Sequence, residues 1–318
     1  MNFIDYLENS IEKRKSLLCA GFDLRPADIP ECYHDRSDDI ETRTEKTLRN
    51  YYTAALQTIE PHIACIKPNI AFFEQYGIGA IKALRAICEE AQRLQVPVIL
   101  DGKRGDIGST NVAYANAFLH NSQTDGDVSN SYDTSQPIPL QTLCDVDALT
   151  VNPFLGLEST VPFIETARAN GKGLFLLVRT SNPDAGFLQD AKSSSGRSIS
   201  ECVADWIRSQ EESLRGACGV SALGAVVGAT APEEARRLRE LMPTSLFLVP
   251  GYGAQGAGAQ EALAGAIPGS GIKGRGVIVN SSRGVFSFQG SSLPKEDEDF
   301  RAQLQERILL AKNDLTLV

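Results

Sequence analysis

Val96-Pro97-Val98-Ile99-Leu100-Asp101-Gly102-Lys103-Arg104-Gly105-Asp106-Ile107-Gly108-Ser109-Thr110 sets a short apolar run against a dense block of charge. The run VPVIL has the length and composition of a buried strand. The charges then fall where that strand leaves the core. Successive side chains on a strand alternate faces, so Asp101 and Lys103 are expected to point the same way. Asp106 follows on the turn beyond, and Ser109 or Thr110 is placed to cap the next helix. A lone D-x-K after a strand is satisfied by a solvated turn with a surface ion pair. Whether this one is a site depends on what the other strands carry.

Working outward, the same rhythm repeats on both sides. LLCAGFDL (17–24) is strand-like and ends at Asp23, and IACIKPN (63–69) carries Lys67 near its end. After the central stretch come ALTVNPF (148–154), GLFLLVRTS (173–181), GAVVGAT (224–230), LFLVPGYG (246–253) and GVIVNSSRGV (276–285). Between them lie helix patterns at 40–60, 73–93, 111–120, 157–171 and 198–215, one opened by Pro232, and a charged terminal helix at 294–313. Gly171 is a natural stop for its helix. The apolar runs are nearly continuous, as in parallel strands buried on both faces. Eight such strands alternating with helices predict a (β/α)8 TIM barrel, with residues 1–318 as one domain. A doubly wound open sheet is the alternative. The polar stretch 121–142, without periodicity, reads as an inserted surface loop.

The chain has 318 residues and a formal net charge of −9. That sign disfavours nucleic acid or an anionic membrane surface as partner, yet leaves room for a small anionic substrate held by local cations. The seven cysteines form no C-x-x-C pair and read as buried thiols of a reducing compartment. The N-terminal stretch lacks the apolar core of a signal peptide, and no run approaches a membrane span. A cytoplasmic protein is expected.

In a barrel of this kind function sits at the C-terminal ends of the strands. There the sequence places Asp23, Lys67, Asp101 and Lys103 on three consecutive strands, with Asp106 in the next loop. Alternating carboxylates and ammonium groups at one mouth point to charge-based catalysis. No His, Cys or Glu cluster has metal-ligand spacing. The stretch Gly251-Tyr252-Gly253-Ala254-Gln255-Gly256 matches G-x-G-x-x-G, but the next strand ends in Asn280-Ser281-Ser282-Arg283-Gly284 without the acidic residue a dinucleotide site needs. A phosphate held by the loops after strands seven and eight, with a bidentate contact from Arg283, is the better reading. Thr180, Ser181 and Asn182 are suited to hydrogen-bond a polar ring.

Taken together, Asp101-x-Lys103-x-x-Asp106-Ile107-x-x-Thr110 resembles the signature of the orotidine 5′-phosphate decarboxylase family. The form D-G-K-R-G-D-I-G-S-T is similar to its longer bacterial, type 2 branch. The likeness extends to Asp23, Lys67, TSNPDA (180–185), PGYGAQG (250–256) and SRG (282–284). It implies conversion of orotidine 5′-monophosphate (OMP) to UMP without cofactor or metal, in a homodimer with sites at the subunit interface. By position it implies Lys103 as proton donor and Asp101 beside the substrate carboxylate. Lys67 and Asp23 complete the array and reach the ribose. Asp106, Ile107 and Thr110 reach into the partner's site. Ser181 reads the pyrimidine, Gln255 bridges base and phosphate, and Arg283 holds the phosphate with nearby backbone at Gly253 and Gly284. Phe286 stands where a hydroxyl-bearing ring would be expected.

Two other readings stay open at this level. One is a metal-dependent sugar-phosphate lyase of the related hexulose-phosphate synthase type, which would need a carboxylate where Lys67 stands. The other is a non-catalytic nucleotide-phosphate sensor on the same barrel.

Overall fold

The computed structural model describes residues 1–317 apart from 24, 121–141, 254, 270–272 and 289–292. The expected insertion at 121–142 therefore lies, but for Thr142, outside the described residues. Among the described residues there are eight strands: β1 (Leu18–Phe22), β2 (Cys65–Pro68), β3 (Ile99–Arg104), β4 (Ala148–Val151), β5 (Gly173–Arg179), β6 (Ser221–Val227), β7 (Ser245–Val249) and β8 (Val277–Ser281). They form one parallel sheet in the order β2-β1-β8-β7-β6-β5-β4-β3. Its two ends meet, since Ile66 bridges Val98 and Asn69 bridges Asp101. There the Ile66 N–H donates to Pro97 O at 3.0 Å and the Ile70 N–H to Asp101 O at 3.3 Å. The sheet is thus a closed barrel rather than an open doubly wound sheet, and closure leaves no unpaired edge.

The strands form where expected because their residues are buried on both faces. Every residue of β1, β2, β4, β6 and β7 is buried. In β3 only Ile99 and Leu100 are buried, and the strand then emerges from the core carrying its charges. It begins at Ile99 rather than Val96. Pro97 has no N–H for a ladder, and the Val98 N–H is taken by the Asp147 carboxylate at 2.8 Å.

The helices are α1 (Phe3–Arg14), α2 (Ile40–Ile59), α3 (Ala71–Glu74), α4 (Gly77–Arg93), α5 (Gly108–Leu119), α6 (Val161–Asn170), α7 (Ala185–Gln189), α8 (Ile199–Gln210), α9 (Pro232–Leu241), α10 (Ala259–Ala262), α11 (Arg283–Phe286) and α12 (Asp297–Leu317). Two expectations are corrected. The helix read over 73–93 is broken in two at Gly77, whose φ of 71° is left-handed. Neither Ser109 nor Thr110 caps α5; no side chain caps it at Ile107. Instead buried Asn111 ties its first turn to the preceding loop. Its Oδ1 accepts the Asp106 N–H at 2.7 Å, and its Nδ2 donates to Asp106 O at 2.5 Å and Ser159 O at 2.7 Å. Gly171 ends α6 in the left-handed conformation, as its position predicts. α12 closes the helical ring, setting Phe300 against Tyr33 and Tyr51 with ring centroids 5.3 Å apart in each pair. Among the described residues no helix is long and apolar enough to cross a membrane.

Candidate active site

The C-terminal ends of the strands surround a cavity of about 290 Å³. One wall is charged. Asp23 stands just past β1, Lys67 on β2, and Asp101 and Lys103 on β3, all four lining the cavity. Val226 and Leu248, from β6 and β7, supply apolar surface. Ser181, Gln255 and Arg283 complete the lining from the loops after β5, β7 and β8.

Asp101 is the hub of the charged wall. Lys67 Nζ lies 2.7 Å from Oδ2 and Lys103 Nζ 2.5 Å from Oδ1. The Thr150 hydroxyl, on β4, donates to the same Oδ1 at 3.0 Å. Burial alone would push the Asp101 carboxyl toward its neutral form. Lys67 and then Lys103 outweigh that, and hold it well below the usual carboxylate range. Lys67 is only 5% exposed. Its desolvation works against the ammonium form, but Asp101 and Asp23 raise its pKa above the ordinary value. Both groups of this buried pair are therefore ionised at neutral pH. Lys103 differs, with its side chain 47% exposed while still lining the cavity. Asp23 contributes an oxygen, Oδ1, that is buried without a hydrogen-bond partner among the described residues. A buried carboxylate oxygen left unpaired beside a cavity is an acceptor prepared for a ligand donor.

The opposite rim is shaped by glycines. At Gly251 φ is 98°, and a side chain there would crowd Ser181 and the Gln255 carboxamide. At Gly228 a Cβ would stand 2.8 Å from Ser181 Cα, so the β6 end can pass beneath that serine only as glycine. Tyr252 lines the cavity and donates its hydroxyl to Asp314 of α12 at 2.6 Å.

Five expected residues do not line this cavity. Gly253 (φ 69°) donates its N–H to Ala257 O at 2.8 Å within a turn, and Gly284 lies inside α11. Asp106, Ile107 and Thr110 sit at the start of α5, and Ile107 is 63% exposed. Phe286 is also away from the cavity. It is buried edge-on against Phe22, centroids 5.2 Å apart, so it is a core residue. Sequence reasoning missed Asn69, Thr150 and Tyr252 as lining residues. A signal existed for Thr150, the one polar side chain in the apolar run of β4. Among the described residues no group of three or more His, Cys, Asp or Glu is placed to hold a metal ion.

Known proteins resemble this chain in sequence and in fold. The sequence profile of the "Orotidine 5′-phosphate decarboxylase / HUMPS family" matches residues 16–132 and 139–290. The orotidine 5′-phosphate decarboxylase of Deinococcus radiodurans is 39% identical over 87% of this chain and 86% of its own length. That of Rhodopirellula baltica is 36% identical over 90% of this chain and 88% of its own. In three dimensions the chain matches a solved Streptomyces avermitilis protein with a TM-score of 0.73 and 29% identity, covering 99% of this chain and 96% of that one. It matches the OMP decarboxylase of Leishmania donovani with a TM-score of 0.65 and 26% identity, covering 98% and 99%. The chain belongs to the orotidine 5′-phosphate decarboxylase / HUMPS family.

Proposed function

We propose that this chain decarboxylates OMP to UMP in pyrimidine nucleotide synthesis, with Lys103 at the reacting carbon. The observation that carries the reading is the Asp101 carboxylate clamped between Lys67 and Lys103 at the cavity wall. Loss of CO2 breaks the bond between C6 and the carboxylate carbon. The electron pair stays on C6 in an orbital that the ring cannot delocalise. A preorganised ammonium is what such localised charge requires. Lys103 Nζ stabilises the pair and then delivers its proton to C6, giving UMP, and regains a proton from solvent. Asp101 faces the substrate carboxylate, and at ~4 Å with an effective dielectric near 20 that repulsion is worth roughly 4 kcal/mol, relieved as CO2 leaves.

The remaining roles follow from position. Asp23, with its unpartnered oxygen, accepts from the ribose. Ser181 reads the pyrimidine and Gln255 spans base and phosphate. Arg283, with backbone of the cavity-lining residues after β7 and β8, takes the phosphate. Binding the remote phosphate supplies free energy that is used at the ring. Asp106, Ile107 and Thr110 serve a partner's site in a homodimer. Ile107 at 63% and Phe154 at 69% exposure support an apolar interface beside the mouth. The acidic chain with unpaired cysteines fits a cytoplasmic enzyme.

The test is the fall in OMP absorbance with purified protein in excess EDTA, wild type beside Lys103→Ala. Turnover abolished in the variant supports the assignment. No turnover with or without EDTA would move the protein to the sensor class, and turnover abolished by EDTA to a metal-dependent relative. Mixing Lys103→Ala with Asp106→Ala subunits tests the shared interface, since exchange should regenerate an intact site.

A further inference from the structure

We propose that Thr150 is a positioning residue, whose hydroxyl holds Lys103 in the strained backbone conformation that aims its ammonium at Asp101. The inference rests on the role given to Lys103 above. Among the described residues three other than glycine have positive φ: Lys15, Gln95 and Lys103. Lys15 is the C-cap of α1 and Gln95 directly follows the C-cap of α4, where the left-handed conformation is routine. Lys103 (φ 43°) lies within β3, where no cap explains it. For a residue with a Cβ that conformation is sterically unfavourable, so something must hold it.

The register between β3 and β4 shows what does. Leu100 pairs with Leu149 and Arg104 with Val151, so Asp101, Gly102 and Lys103 together face the single residue Thr150. Such a bulge bends a strand and re-aims its side chains. Thr150 is 1% exposed, and its hydroxyl closes the bulge. Oγ1 accepts the Lys103 N–H at 2.9 Å and donates its own proton to Asp101 Oδ1 at 3.0 Å. That oxygen also receives Lys103 Nζ at 2.5 Å. One hydroxyl thus joins the backbone and, through Asp101, the ammonium of the same lysine in a closed ring. Valine would fill the space and could make neither bond. Serine would make both.

The experiment compares Thr150→Val with Thr150→Ser. Displacing a reacting group by about an ångström costs up to roughly a hundredfold in rate. Thr150→Val is therefore expected to lose about tenfold to a hundredfold in kcat, while UMP affinity by calorimetry stays within about twofold. Thr150→Ser should recover most of the rate. Wild-type kcat in the valine variant would overturn the proposal, as would a serine variant no better than valine. Parallel loss of kcat and UMP affinity would also overturn it, since that marks general damage to the site. Wild-type protein that does not turn over OMP would instead defeat the functional reading. The crystal structure of Thr150→Val would still decide the positioning claim, which falls if Lys103 keeps its left-handed φ.

Discussion

Replacing Lys67 by methionine should separate what the charged wall does for stability from what it does for chemistry. The ammonium is buried, and its partner Asp101 is almost as enclosed. At 2.7 Å and an effective dielectric of about 20 their attraction is ~6 kcal/mol before desolvation is subtracted. Breaking a buried pair by removing one partner costs about 3–5 kcal/mol, because the other charge is left behind. Asp101 keeps Lys103 and Thr150 on its other oxygen, so the lower end, about 3 kcal/mol, applies here. With an unfolding entropy of about 2 cal/mol/K per residue, that lowers Tm by roughly 4–5 °C for a chain of this length. The double variant Lys67→Met/Asp101→Asn replaces both charges with near-isosteres, and should return to within about 1 °C of wild type. Both variants should lose OMP turnover. Calorimetric melts beside the absorbance assay check this. A Lys67→Met melt within 1 °C of wild type, or a double variant no more stable than the single, would refute the reasoning.

Other outcomes follow from the same geometry. Arg283→Ala should weaken UMP binding roughly tenfold to a hundredfold, as for a lost charge-assisted hydrogen bond, and leave uridine binding unchanged in the same calorimeter. Tyr252→Phe removes the tie from the β7 loop to Asp314, and should raise KM for OMP severalfold, on the order of 1 kcal/mol, with little change in kcat. Burial raises the Asp147 pKa from 3.8 to about 6, against the opposing pull of Lys172 and the Val98 N–H. The native state therefore holds a proton that the unfolded chain releases. This contribution is present below about pH 4 and lost as pH rises through about 6. Urea unfolding should show wild type losing on the order of 3 kcal/mol relative to Asp147→Asn across that window. A flat difference between the two proteins would contradict it.

The two sides of the cavity differ in character. The charged wall comes from β1 to β3, where neighbouring strand ends bring opposite charges within contact. Val226 and Leu248 from β6 and β7 add apolar surface to the same cavity. Gln255 lies beyond β7 and Arg283 beyond β8, the strand that pairs with β1 of the charged wall.

Much of this was legible in the chain itself. Each buried strand is a run of Val, Ile, Leu and small residues that ends abruptly in polar residues, so the positions of Asp23, Lys67, Asp101 and Lys103 followed from local pattern alone. Gly171 and Pro232 marked helix ends because their backbone preferences are intrinsic to the residue. What local pattern could not supply is register. A shift of one residue turns every side chain of a strand to the other face, and the barrel's register is set by all eight strands closing together. The bulge that sets Asp101, Gly102 and Lys103 against Thr150 is therefore a tertiary feature, as is the left-handed backbone of Lys103. So are the tie from Tyr252 to Asp314 and the use of Asn111, not Ser109 or Thr110, at the start of α5. The amino-acid sequence determined which charges stand at the mouth of the barrel. Only the closed barrel decided how they are aimed, because their aim depends on hydrogen bonds between residues distant in the chain.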